Sequence, residues 1–191
     1  MKTVILQLEL LDYWHIGTGL GLGPIADAVA VKDDLGLPYL PGKTLKGLLR
    51  DVCELAAETE SNGWTERKVN SLFGRKGTDS TEGRLHFSNA EIDEDTRNWL
   101  STESNKKELA SSLFARIAQT AIDDEKGVAD NKSLRVAEVT LPVVLTAEIE
   151  GPDNDDLWVK DLKQVLPMLR GLGTARRRGF GRVKCSFIEE D

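Results

Sequence analysis

An α+β fold in the order strand, helix, strand, strand, helix, strand is what this sequence predicts, and three observations predict it. Two stretches carry apolar residues at helical spacing: Leu45, Leu48, Leu49, Val52 and Ala56 in residues 43–58, then Trp158, Leu162, Val165, Leu166 and Leu169. Four others read as strands, by alternation or by richness in valine, leucine and threonine: residues 3–11, 83–92, 134–149 and 183–188. A glycine-rich stretch, residues 171–182, joins the second helix to the last strand. The order matches the βαββαβ split unit, a ferredoxin-like or RRM-like arrangement. At 191 residues the chain is read as one domain, 1–191, with insertions at about 59–82 and 93–134.

Taken in order, residues 3–11 place Val4, Leu6 and Leu8 on one side of a first strand. Trp14-His15-Ile16-Gly17-Thr18-Gly19 opens a glycine-dense loop that runs to Pro24, and Asp33 and Asp34 read as turn residues. Pro38 and Pro41 keep the residues before them out of the helical region, so the first helix starts after them. Residues 59–81 are polar and glycine-punctuated, a loop with some local helix. Residues 91–105 read as an acidic loop. Residues 109–121 fit either a short helix or an extended arm. Gly151 to Asp155 signals a turn and the start of the second helix, which must kink or tighten at Pro167. Cys53 and Cys185 fall on core faces and read as buried thiols of a reducing compartment, the cytoplasm.

The charge is uneven. Net charge is −7, yet residues 170–184 hold six basic residues and no acidic one. A free-standing, non-specific nucleic-acid binder is usually basic throughout, so any nucleic acid would follow one basic stripe, within a larger assembly. No apolar run approaches membrane-spanning length, and no cysteine–histidine spacing suits zinc. In the stripe, Gly171, Gly173, Gly179 and Gly181 bracket Arg176, Arg177 and Arg178. Glycines permit positive φ and close approach of backbone to a ligand, and arginine grips phosphate bidentately and stacks on bases. The loop therefore reads as a phosphate-backbone cradle, against the alternative of a turn with solvated arginines. Lys43, Lys46 and Arg50 share one face of the first helix near its N-terminus, where anions are attracted. A solvated face is the alternative there.

Four separate stretches, in order, resemble one family. The loop 171–182 resembles the C-terminal glycine-rich loop of the RAMP superfamily of CRISPR-associated RNA-binding proteins. Trp14-His15-Ile16-Gly17-Thr18-Gly19 is similar to the loop after the first strand in its type III backbone subunits. Residues 37–50, from Leu37-Pro38-Tyr39-Leu40-Pro41-Gly42 to Arg50, are similar to a proline–glycine block that opens their first helix. Arg116, Thr120, Ile122, Asp123, Gly127, Glu138 and Pro142 resemble the segment that forms a β-hairpin thumb in that family. The resemblance implies a subunit that binds guide RNA and complementary target RNA. It also implies stacking on copies of itself or paralogous backbone subunits, and on other type III subunits including the large polymerase-like one. RNA-contacting positions would be His15, Lys43, Lys46, Arg50, Gly171, Gly173, Arg176, Arg177, Arg178, Gly179 and Gly181. Lys43 departs from the family, which has a small hydroxyl residue there.

The same resemblance implies one catalytic aspartate in the loop after the first strand, and the matching position is Asp27. RNA carries its own nucleophile, the 2′-hydroxyl, so distortion of its backbone plus one acid–base or metal-binding group can cleave it. No metal site is built into the sequence; Mg2+ or another divalent cation held transiently at Asp27 is the expected cofactor. Two alternatives stay open. One is an architectural RNA-binding subunit without chemistry. The other is a guide-processing endoribonuclease with His15 as general base.

Overall fold

A computed structural model describes residues 1–19, 28–75, 80–102, 106–120, 128, 133–153, 156–174 and 176–188. It is a mixed α/β structure with antiparallel sheets. The central strand, β1 (Lys2–Leu10), is followed by α1 (Gly42–Glu58), α2 (Glu66–Phe73) and a small ribbon of β2 (Gly74–Arg75) and β3 (Thr81–Glu82). Then come β4 (His86–Phe87), α3 (Glu94–Thr102), α4 (Lys106–Ser112), β5 (Phe114–Gln119) and β6 (Arg135–Thr140). The chain ends with β7 (Val144–Gly151), α5 (Leu157–Val165), a 3₁₀ turn over Leu166–Met168, another over Arg176–Arg178, and β8 (Val183–Phe187).

The main sheet has the order β4-β7-β1-β8, with every pairing antiparallel. β1 pairs with β7 from Lys2↔Gly151 to Glu9↔Val144, and with β8 from Leu6↔Phe187 to Leu10↔Val183. Alternation along β1 sends Leu6, Leu8 and Leu10 to one face, where they are buried in one cluster with Leu45, Leu49, Cys53, Leu162 and Val165 of the helices. Full burial of each leucine contributes about 1.5–3 kcal/mol, which is what binds α1 and α5 to the sheet. Pro167 is accommodated as expected: α5 ends at Val165 and the chain tightens into the 3₁₀ turn. Both thiols are free and buried. Burial pushes Cys185 up to about 12 and Cys53 higher still. Among the described residues no helix is long and apolar enough to cross a membrane.

Four sequence expectations change. Of residues 83–92 only His86–Phe87 form a strand, β4, with isolated bridges at Ala90 and Glu91 beyond it. Residues 134–149 are not one strand: the chain leaves the ladder at Leu141, Pro142 and Val143, so β6 pairs with β5 while β7 joins the main sheet. Pro142 has no N–H to give to a ladder, which suits the break. Residues 91–105 hold a helix, α3, not only loop; Asp93 starts it, its Oδ1 accepting from Thr96 N at 2.9 Å. The choice over residues 109–121 resolves as both, with α4 running straight into β5.

Candidate nucleic-acid interface

Past β1 the chain leaves the sheet and forms an irregular antiparallel pair of arms, joined by Val31 N to Ile16 O at 2.8 Å, Thr18 N to Val29 O at 3.1 Å and a Gly17↔Ala30 bridge. Each arm also lies along β6 of the β5–β6 hairpin. Trp14 and Thr140 exchange two backbone bonds of 3.0 and 2.7 Å, and Trp14 Nε1 donates to Leu141 O at 3.0 Å. On the second arm, Glu138 N donates to Ala28 O at 3.0 Å, within a parallel Ala28↔Ala137 bridge.

Glu138 is where these pieces meet. Its carboxylate accepts from Ala30 N at 3.2 Å and pairs with Lys32 Nζ at 2.9 Å, with only 12% of the Glu138 side chain exposed. Its carbonyl lies 2.6 Å from His15 Nδ1. A carbonyl can only accept, so Nδ1 carries the proton. The Lys32 ammonium also stands 4.1 Å over the Phe114 ring, which adds a cation–π contact to the same junction. One residue of the hairpin thus holds the second arm by backbone, side chain and charge. The first described residue of that arm, Ala28, follows Asp27 in the sequence.

The glycine loop docks against the first arm. Leu11 N donates to Arg182 O at 2.8 Å, Gly181 N to Tyr13 O at 2.7 Å and Thr174 N to His15 O at 3.0 Å. Leu172 N donates to Gly181 O at 2.9 Å and Val183 N to Arg170 O at 3.1 Å, closing the base of the loop. Two glycines are explained by this docking. Gly173 has φ +79° and a Cβ there would run into His15 O; Gly181 has φ +71° and a Cβ would run into Leu172 O. Gly171 is different, since a Cβ there meets nothing nearer than 3.6 Å. The room that glycine makes at 173 and 181 goes to the protein's own backbone, and the part of the loop turned outward is its tip. There Arg176–Arg178 form a single 3₁₀ turn, with Arg176 and Arg178 exposed and without an ion pair among the described residues. Arg182 is also exposed and pairs with Asp12 at 3.1 Å.

The residues singled out in the sequence fall into separate groups. Asp27 lies outside the described residues, as do Ile122, Asp123 and Gly127 of the thumb motif and the side chain of Arg177. His15 is 6% exposed, packed beneath Gly17, whose Cβ would stand 2.9 Å from Nε2. Lys43 is exposed at the start of α1. Lys46 and Arg50 turn inward instead. Lys46 Nζ donates to Leu85 O at 3.2 Å. Arg50 spends its fork on Glu54 at 2.6 Å, Gly74 O at 2.6 Å and Asn70 at 3.1 Å. The N–H of Gly42, at the helix start, is taken by Asn89 Oδ1 at 3.0 Å. Among the described residues no hydrogen bond or ion pair joins these α1 cations to the loop 171–182. Asp33 is the turn residue expected of it: Oδ1 accepts from Leu35 N and Leu37 N at 2.9 and 2.8 Å, and Oδ2 holds Arg97 at 2.6 Å.

A family model described as the RAMP superfamily matches residues 7–184. This chain belongs to that superfamily. Across 74 residues it is 31% identical to the CRISPR system Cmr endoribonuclease Cmr4 of Pyrococcus furiosus, a match spanning 39% of this chain and 23% of that protein. The chain therefore aligns with only about a quarter of that relative. Among solved structures, a chain of the Type III-B Cmr-beta complex bound to cognate target RNA superposes with a TM-score of 0.77 at 12% identity, covering 98% of this chain and 97% of that one. A chain of the apo Cmr-beta complex superposes at 0.72, also at 12% identity, covering 98% of both. At such identity the likeness concerns the fold.

In this RAMP protein the open face of the sheet is rich in carboxylates. Residues alternating with the buried leucines present Glu9, Glu148 and Glu150 beside Gln7, Thr146 and Lys184, and His86 of the edge strand β4 is the one ring beside them among the described residues. Sheet-face RNA recognition in RRM modules rests on aromatic stacking, and carboxylates repel phosphate. The cations instead gather on the loop at one end of the sheet. Sequence reading did not single out Lys32, because its partner Glu138 is 106 positions away and only the folded register joins them.

Proposed function

We propose that this RAMP protein is a backbone subunit of a type III CRISPR effector, holding guide RNA on the tip of the 171–182 loop and presenting Asp27 to the paired target RNA. The observation that carries this is the end-to-end superposition on a chain of an RNA-bound Cmr-beta complex at a TM-score of 0.77. The strand order β4-β7-β1-β8, with α1 and α5 packed on one face, supports a ferredoxin-like core beneath it. Exposed Arg176 and Arg178, in a stretch free of acidic residues, support phosphate contact.

For cleavage, the RNA supplies the attacking 2′-hydroxyl, which displaces the 5′-oxygen at the adjacent phosphorus. Asp27 would take the hydroxyl proton or ligate a cation, and the thumb hairpin would hold the strand out of stack. Among the described residues no three His, Cys, Asp or Glu side chains assemble as a metal site. In this reading the protein's own share of the chemistry is the Asp27 carboxylate, which directly precedes Ala28 of the arm held by Glu138. The guide-processing alternative asks a buried His15, already bonded to Glu138 O, to act as base, so its geometry is the less favourable. Asp27→Ala in the assembled complex tests the catalytic reading: target cutting lost with assembly and guide binding intact supports it, and undiminished cutting removes it in favour of the architectural subunit.

A further inference from the structure

Away from the loop, α3 and α4 frame two adjoining cavities that the RNA-binding reading does not use. The smaller, about 380 Å³, is apolar: Trp99, Leu109 and Val144 line it with Ile92, Leu100 and Val143. Trp99 is 55% exposed, Leu109 37% and Val144 48%, three exposed large apolar side chains gathered at one place. Isolated exposed leucines need no explanation, but a clustered apolar groove with an exposed tryptophan is the anatomy of a binding hot spot. The larger cavity, about 720 Å³, shares Ile92 with it and runs between α3 and the open sheet face over Ile5, Thr146 and Ala147.

The charges around this double groove are one-sided. Among the described side chains, Glu91, Glu94 and Glu148 line the larger part and Asp93 the smaller, against a single cation, Arg97. Arg97 is already held by Asp33 at 2.6 Å and Glu91 at 3.1 Å, so it offers little to an incoming anion. RNA would meet carboxylates here. A protein segment carrying lysine or arginine, with one bulky apolar anchor, fits both halves.

We propose that the groove between α3, α4 and the sheet is a docking site for a basic segment of a neighbouring protein subunit, its apolar anchor seated against Trp99, Leu109 and Val144 and its cations against Glu94 and Glu148. This surface is distinct from the arginine loop and does not depend on Asp27. Electrostatic complementarity of this kind sets partner choice and on-rate, and the buried apolar anchor supplies residence time.

Trp99 reports on the groove directly, because Trp14, Trp64 and Trp158 are 1–2% exposed. The test is acrylamide quenching of tryptophan fluorescence in the full chain, titrated with a synthetic peptide of alternating lysine and leucine and, separately, with its glutamate counterpart. The cationic peptide is expected to abolish the quenchable component and shift emission to the blue, an effect weakened by salt and absent with the anionic peptide. Trp99→Phe should remove the signal while isothermal titration still detects the peptide. Glu94→Lys with Glu148→Lys, both exposed, should abolish binding without loss of fold by circular dichroism. The proposal is overturned if Trp99 stays quenchable with the cationic peptide, or if the anionic peptide protects it equally. It is also overturned if protection comes from single-stranded RNA, or from rising protein concentration alone, which would mark a contact between copies.

Discussion

Four bonds converge on Glu138, so its substitution separates anchoring from mere surface charge. Glu138→Ala removes the acceptor for Ala30 N and the partner of Lys32, and leaves a largely buried N–H unsatisfied. A cost of about 1–3 kcal/mol is expected. Each kcal/mol lowers Tm by roughly 2–4 °C in a protein of this size, so calorimetry resolves it. Glu138→Gln keeps an acceptor and should cost less than half as much. Equal losses in the two variants would mean that the charge alone matters. At Asp93 the sign of a pH effect follows from its bond to Thr96 N, which holds the carboxyl below its ordinary range. A lowered folded-state pKa gives stability that is present above the unfolded pKa and is lost as pH falls through the folded one. Asp93→Ala should therefore destabilise by about 1 kcal/mol at neutral pH and by nothing in strong acid, read from urea unfolding at both. Both thiols, buried and held protonated, should resist iodoacetamide in the native protein and label on unfolding. Native-state labelling would contradict that burial.

Among the elements, the glycine loop carries the sharpest contrast. Gly181→Ala and Gly173→Ala put a Cβ into backbone at positive φ, and each should cost several kcal/mol or prevent folding. Gly171→Ala has room and should sit within about 0.5 kcal/mol of the wild type. Equal damage from all three would mean that the loop's shape is not what its backbone bonds imply. The long elements were legible beforehand because their patterns are unmistakable. The leucine stripe of α1 and the alternation of β1 both face the same core. What periodicity missed is short or held by distant partners. α3 has one buried side chain, Leu100, so no stripe announces it. The stretch 134–149 has strand composition throughout, and only the hairpin's tertiary pairing reveals that it serves two sheets. Lys46 and Arg50 lie off the apolar stripe, as their spacing implied. Their long side chains nevertheless reach Leu85, Asn70 and Gly74, because the segment after α1 folds back over that face.

At the scale of the whole molecule, charge is sorted by surface. Cations collect in residues 170–182, while carboxylates outnumber Lys184 on the open sheet face and line the α3 groove. On the proposed reading, a chain of net charge −7 would hold RNA by that one stretch, leaving its acidic surfaces to protein neighbours. The loop's basic, glycine-rich character is readable from composition alone. That the loop connects through His15 and Glu138 to the arm of residues 28–32 is not, since the contacts run between residues more than a hundred positions apart. The measurement that tests the central claim most directly is binding of single-stranded guide-like RNA across a salt series, for the wild type and for Arg176→Ala/Arg177→Ala/Arg178→Ala. If the loop tip grips the RNA backbone, the variant loses affinity and its log–log salt slope falls by about 0.7 for each phosphate contact removed. If the variant binds as tightly as the wild type with the same slope, the loop is not the cradle, and the account of how this protein holds RNA is wrong.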